Sequence, residues 1–233
     1  MTGGSIALNN TQTQVVNSNA ASFVWPSYVD VIEDVLPWLQ IPQEPPQDDL
    51  AMRKLQMLTD MTCQWAQRKL GQPIGPTAFW RRFDGWNGWN GAYIALPYWP
   101  VLEIVKVTEW WGSNGPHDLA EQTPEHNIDG FQVDYQKGRV IRVFPGLVQK
   151  PWFPGSRNID IQWISGWNPV PIDWKVATIE MIAHWWRNTQ QTQRGSGLRG
   201  GGDSAEAVAG GAFEGVPLRI TALLDSAIHI GIG

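Results

Sequence analysis

His117 and His126, with Glu121 and Glu125 between them, are the densest gathering of metal-ligating side chains in the chain. A metal site needs three or four such groups on one ion, and helical sites show close pairs three or four apart. This group lies in a Gly- and Pro-containing loop pattern rather than on a helix that would bring such pairs onto one face, so no functional metal and no cofactor are expected. His184 stands beside Trp185 in a helical pattern and reads as an ordinary helix imidazole, while His229 belongs to an apolar tail with no partner that would make it a base. The single cysteine, Cys63, lies between Met61 and Trp65 and reads as a buried structural thiol rather than a nucleophile. Asp134 and Asp160 are as good an acidic pair as any for glycoside hydrolysis, but 22 acidic residues offer many such pairs. There is no Gly-x-Ser-x-Gly elbow, no phosphate loop and no Gly-x-Gly-x-x-Gly between a strand and a helix; the glycines at 200–202 sit in a polar linker. No catalytic residue is assigned and the chain is not expected to be an enzyme.

Tryptophan is the residue type that stands out. There are 15, and indole faces stack on sugars and bases as readily as they fill cores and subunit interfaces. Trp65 and Trp186 fall on apolar helical stripes and belong to the core. Trp86 and Trp89 sit in Trp-Asn-Gly turns, and Trp110 and Trp111 close a strand with one ring on each face. These four are expected to make inter-subunit aromatic contacts, because Trp is enriched at interfaces. The competing reading is a carbohydrate-binding or host-recognition module that stacks sugars on Trp86, Trp89 and Trp110.

The 233 residues suffice for one elaborated domain with a sizeable core. Seventeen basic against 22 acidic residues give a net charge of -5, which supplies no basic field for gripping nucleic-acid phosphates. The N-terminal stretch lacks the pattern of a secretory signal, and no apolar run is long enough to cross a bilayer, so no membrane partner is expected.

The elements that must position these residues follow from periodicity. Residues 1–26 are polar and aperiodic and read as a flexible arm. A first helix is expected over 27–37, capped by Ser27 with Asp30 three positions on and limited by Pro37. A second, over 48–70, places Ala51, Leu55, Leu58, Thr62 and Trp65 on one face and stops at Gly71. From about 77 to 165 short β-prone runs alternate with turn residues, among them Asp84-Gly85 and a hairpin turn at Lys137-Gly138; residues 112–127 read as a long exposed loop. A third helix, over 171–188, starts at Pro171 and repeats the helical spacing at Ile172, Val176, Ile179, Ala183 and Trp186. Residues 189–215 form a Gly-rich linker and 216–233 an apolar terminal segment. The fold class is therefore α+β: a small antiparallel helical bundle, a β-rich insertion between its second and third main helices, and a flexible C-terminal tail.

The order of local motifs resembles the head-to-tail adaptor (head-tail connector) proteins of long-tailed bacteriophages. The residues that carry the resemblance are "QRKLGQPI" (67–74) at the end of the second helix, "LPYWPVLEIVKV" (96–107), "IDIQWISGWNPVPIDWKVATIEMIAHWWRN" (159–188) and "VPLRITALL" (216–224). Together they span about residues 27–224. The β-rich middle is larger than in compact members of that family, and "DSAIHIGIG" lacks the arginine-bearing end of many relatives.

The resemblance implies a structural virion protein at the head-tail interface, made in the host cytoplasm. Its copies would form a homo-oligomeric ring, dodecameric by the resemblance, beneath the portal protein. The ring would join the portal to a neck, stopper or tail-completion protein and leave a channel through which DNA passes without sequence-specific binding. Leu218, Ile220, Leu223, Leu224, Ile228 and Ile230 are then expected to dock the tail on the portal or neck, by insertion or by adding a strand.

Overall fold

The computed structural model describes residues 16–17, 25–41, 49–85, 93–123, 125 and 128–195. Trp86, Trp89, the six docking residues from Leu218 to Ile230 and most of the 189–215 linker lie outside them. The architecture is mixed helix and largely antiparallel sheet, of the α+β class. The chain divides into two compact units: a helical one of residues 25–71 and 170–233, and a sheet one of residues 1–24 and 72–169.

The helical unit opens with a π-helical turn, Val31–Val35, that runs into α1, Leu36–Leu39. Its cap is Asp30, not the expected Ser27: the Asp30 carboxylate accepts from the amides of Ile32 at 2.7 Å and Glu33 at 2.9 Å. A charged acceptor is the stronger partner for free amides at the positive end of a helix. Ser27 instead donates to Asp60 at 2.6 Å. Pro37 does not end the helix either. It falls in the first turn of α1, where no amide hydrogen is needed, and the helix closes at Leu39 with Gln40 left-handed at φ 56. The expected 27–37 helix is thus 31–39.

Helix α2, Asp49–Leu70, agrees with the expected 48–70, with Leu55, Leu58 and Thr62 buried and Ala51 and Trp65 half-buried. Gly71 ends it with φ +66, a left-handed backbone that only glycine adopts without strain. Helix α3, Ile172–Gly195, runs past the expected end at 188 and takes in the first residues of the expected linker. Pro171 caps it from outside, its carbonyl accepting from the amides of Trp174 and Lys175 at 3.1 and 3.2 Å. The buried face is not the expected stripe. Trp174, Ala177, Met181, Ile182 and Trp185 are buried along with Ile179 and Ala183, whereas Ile172 is 75% exposed and Trp186 only half-buried. The helix is apolar around so much of its circumference that spacing alone does not select a face.

α2 and α3 pack on each other and on the π-turn. Hydroxyls inside this unit bond locally: Thr59 to the Leu55 carbonyl at 2.9 Å, Thr62 to Leu58 at 2.7 Å, Thr178 to Trp174 at 2.9 Å, with Thr178 also bonded to the Tyr28 hydroxyl. Cys63 is fully buried here, and burial pushes its thiol up to about 11.

The sheet unit holds two sheets. In the first, β1 (Val16–Asn17), β2 (Thr77–Gly85), β9 (Gly155–Ser165), β4 (Val101–Trp110) and β5 (Pro116–Leu119) lie side by side in that order. In the second, β7 (Arg139–Phe144) pairs with β3 (Tyr93–Ala95), β6 (Gly130–Asp134) and β8 (Val148–Gln149). Central strand β9 alternates as a half-buried strand should, with Ile159, Ile161 and Trp163 at 0% exposure. Phe79 of β2 stacks on Trp163 at 5.4 Å between centroids.

Strands β2 to β9 fill the expected β-rich block, but the connections differ. Two residues of the arm, Val16 and Asn17, pair in parallel with Phe79 and Trp80, so the arm adds an edge to the first sheet. The 112–127 segment is not simply a loop, since after a 3-10 turn, Gly112–Asn114, it supplies β5, paired antiparallel with β4. Asp84-Gly85 is a bulge at the end of β2 rather than a turn. A Cβ on Gly85 would lie 1.8 Å from the Phe153 carbonyl oxygen, a close approach only glycine permits. Gly138, at φ +61, does turn the β6–β7 hairpin. The segment "LPYWP" carries the chain from β3 in the second sheet to β4 in the first. On the way the Leu96 amide donates to Gly138 at 2.8 Å and the Trp99 amide to the Gln72 side chain at 3.1 Å.

Candidate assembly surfaces

Strand β4 ends where the sequence places its paired indoles. Lys106, Thr108 and Trp110 alternate onto one face of the first sheet, Val107 and Glu109 onto the other. On the first face, with Pro116 and Asp118 of β5 and Asp160 and Gln162 of β9, they line a shallow depression of about 370 Å³. Asp118 accepts from Thr108 at 2.6 Å and pairs with Lys106 at 2.9 Å. The Thr108 hydrogen bond and the Lys106 ammonium hold its carboxyl below the usual range. Asp160 pairs with Arg82 at 2.8 Å. Trp110 is 38% exposed at the rim.

Trp111 has a different environment from its neighbour. Its ring stacks on His117 at 3.9 Å and on Phe153 at 6.3 Å, and its indole N–H donates to Glu109 at 2.9 Å. Glu109, 1% exposed, also accepts from the Phe153 amide at 2.6 Å and from Arg142 Nε at 3.2 Å. Arg142, on β7 and fully buried, reaches on to Asp129 at 2.7 and 3.2 Å and to the Gly130 carbonyl at 2.6 Å. Lys150 completes the set, 2.8 Å from Asp129. Burial pushes the Asp129 carboxyl up, but the hydrogen bonds and charges of Lys150 and Arg142 outweigh it and hold the carboxyl below its usual value. A buried guanidinium satisfied by two carboxylates and two carbonyls ties β4 of one sheet to β7 of the other.

Sequence reasoning did not find this network. The signal was there: Glu109 follows Val107, and Arg142 follows Val140, at the period-2 positions that face the interior.

Among the described residues no group of three potential metal ligands comes together. Glu121 accepts from the Tyr135 hydroxyl at 2.9 and 3.1 Å, His117 stacks on Trp111, and His126 lies outside the described residues. Asp134 and Asp160 stand on strands of different sheets, the first bonded to the Lys137 amide and the second to Arg82. No helix among the described residues is long and apolar enough to cross a membrane.

Exposed apolar side chains concentrate elsewhere. In the helical unit they are Leu50, Met57 and Met61 on α2, Ile32 and Trp38 on the π-turn and α1, and Ile172 at the start of α3. In the sheet unit Phe144, Leu147 and Val148 crowd the β7–β8 hairpin, where Leu147 is left-handed at φ 63.

No protein-family model matches the chain, and no curated protein does. Solved structures do match. A chain of "Neck of empty GTA particle computed with C6 symmetry" superposes with a TM-score of 0.53 at 15% identity, covering 88% of this chain and 91% of that one. A chain of "Virion of native gene transfer agent (GTA) particle" superposes with a TM-score of 0.50 at 15% identity over the same shares. The likeness is one of fold, and it takes in nearly the whole of both chains.

Proposed function

We propose that the chain is a structural subunit of the neck of a phage-type virion and, within the neck, a head-to-tail adaptor. The observation that carries this reading is the fold shared, over 88% of the chain, with a chain from a particle neck computed with C6 symmetry. Copies would form a ring beneath the portal protein and hand on to a neck, stopper or tail-completion protein. A ring of more than two copies needs heterologous contacts, one surface meeting a different one on the next copy. The net charge of -5 suits a channel that lets DNA slide without gripping its phosphates. The role proposed is structural and calls for no catalytic residue; Asp134 and Asp160 stand on separate sheets, the first bonded to the Lys137 amide and the second to Arg82.

Negative-stain imaging of the chain mixed with its cognate portal ring tests the reading. Decoration of the portal by a coaxial ring is expected, and an undecorated portal overturns it. Removing residues 216–233 is expected to abolish that decoration while the subunit still unfolds in a cooperative thermal transition; undiminished decoration would remove the tail from the docking role.

The depression beside Trp110 favours a second reading, a carbohydrate-binding module, because an exposed indole beside Asp160 and Gln162 is a sugar-stacking arrangement. A glycan titration followed by tryptophan fluorescence separates the two: a saturable shift supports the module, and silence supports the assembly role.

A further inference from the structure

Helix α2 carries a second stripe that the core does not use. Leu50, Lys54, Met57, Met61, Gln64 and Arg68 recur at steps of 4, 3, 4, 3 and 4, the seam spacing of a helix that packs along another surface. Leu50 is 58%, Met57 57% and Met61 41% exposed, and Lys54 and Arg68 are exposed too. At 3.6 residues per turn this line runs down the side of α2 opposite Leu55, Thr59, Thr62 and Ala66, the face buried within the unit. Its charged members are all basic.

A complementary patch lies on the elements from which that stripe turns away. The Lys175–Asp34 ion pair, 2.6 Å, holds the π-turn beside the first turn of α3. Around it Ile32, Trp38 and Ile172 are 56%, 46% and 75% exposed, and the exposed charges among them, Glu33 and Asp173, are acidic. The basic-apolar stripe and the acidic-apolar patch are both exposed in a single copy and match in chemistry, so each offers a seat for the other on a second copy. We infer that they meet between copies: the α2 stripe of one subunit seats on the Ile32–Trp38 and Ile172–Asp173 patch of the next, giving the ring its lateral, head-to-tail contact. Opposite potentials fix the register, and the methionines and Trp38 supply the desolvated centre. This inference rests on the ring reading above and assigns the lateral contact to the helical unit.

The test compares variants of the full chain for ring formation with and without the portal, by native mass spectrometry and negative stain. Met57→Glu with Met61→Glu is expected to raise the concentration for half-assembly by at least roughly tenfold, the size of effect of a disrupted interface anchor. Both positions are exposed, so an unchanged thermal transition is expected to accompany the loss. Lys54→Glu alone should weaken assembly, and adding Glu33→Lys in the same chain should restore it, since each contact then pairs swapped charges. Wild-type rings with the methionine variant assembling normally overturn this inference and leave the ring reading standing. Failure of the charge swap to rescue overturns the acidic patch as the partner. Variants that form rings alone but fail only on the portal overturn self-contact in favour of portal docking. Absence of any wild-type ring under both conditions overturns the ring reading and this inference with it.

Discussion

In the sheet unit the polar groups withdrawn from water include full charges; among the described residues of the helical unit they are chiefly hydroxyls. Glu109 and Arg142 are 1% and 0% exposed and depend on each other, on Asp129 and on backbone carbonyls for compensation. Thr59, Thr62 and Thr178 each bond a carbonyl one turn back on their own helix, and the hydrogen bonds of Tyr28 with Thr178, Ser27 with Asp60 and Gln67 with the Pro26 carbonyl, which link separate segments, each involve at least one neutral group. A buried charge that loses its partner costs far more than a hydroxyl that does. The sheet unit is therefore tied together by a polar device whose buried charges depend on one another, whereas the buried hydroxyls of the helical unit are satisfied largely within their own helices.

That contrast can be broken at its strongest point first. Arg142→Met strands Glu109 in the interior and is expected to lower stability by about 3–5 kcal/mol. Urea unfolding followed by tryptophan fluorescence measures it, and adding Glu109→Leu should recover much of the loss, because an apolar replacement of the whole pair is cheap. Trp111→Phe keeps the stacking on His117 but removes one donor to Glu109, for an expected loss of about 1.5–3 kcal/mol, typical of a hydrogen bond to a charged group. Thr178→Val in the helical unit leaves the Tyr28 hydroxyl without that partner and should cost less, about 1–2 kcal/mol. If Thr178→Val proves as damaging as Arg142→Met, the distinction between the two units falls.

Acid sharpens the same comparison with the smallest effect. The Asp129 carboxyl is held below its ordinary value of 3.8 in the folded chain, so its contribution is fully present above that pH. It is lost as pH falls through the lowered folded value. The urea midpoint should accordingly drop below about pH 4, and drop less in an Asp129→Asn variant. An identical acid profile in that variant would show that Asp129 carries none of the acid sensitivity.

Much of this was legible in one dimension. The 4-3-4-3 spacing of Ala51 to Trp65 located α2 within a residue, Gly71 marked its end, and the alternating runs located every strand longer than four residues. The misses share a cause. Asp30 rather than Ser27 caps the π-turn because two acceptors stand near the same amides and the tertiary contact of Ser27 with Asp60 decides between them. Trp185 rather than Trp186 is buried because α3 is apolar nearly all round, and only its neighbours choose the face. The arm residues Val16 and Asn17 and strand β5 have too short a pattern to declare themselves, and pairing with β2 and β4 creates them. The adjacent indoles Trp110 and Trp111 look equivalent in sequence. Alternation along β4 sends one to the rim of a groove and the other against His117 and Glu109.

By itself the sequence determined the α+β class, the order of elements and which residues could serve as faces, because periodicity, turn chemistry and charge are properties of neighbours along the chain. Only the tertiary structure decided that Glu109, Asp129, Arg142 and Lys150, drawn from separate segments with 33 positions between Glu109 and Arg142 alone, share one network around a buried guanidinium. It also decided that α2 keeps a second stripe outside. Both depend on which strand lies beside which and which helix face is covered, and those are set by packing between distant segments rather than by any local preference.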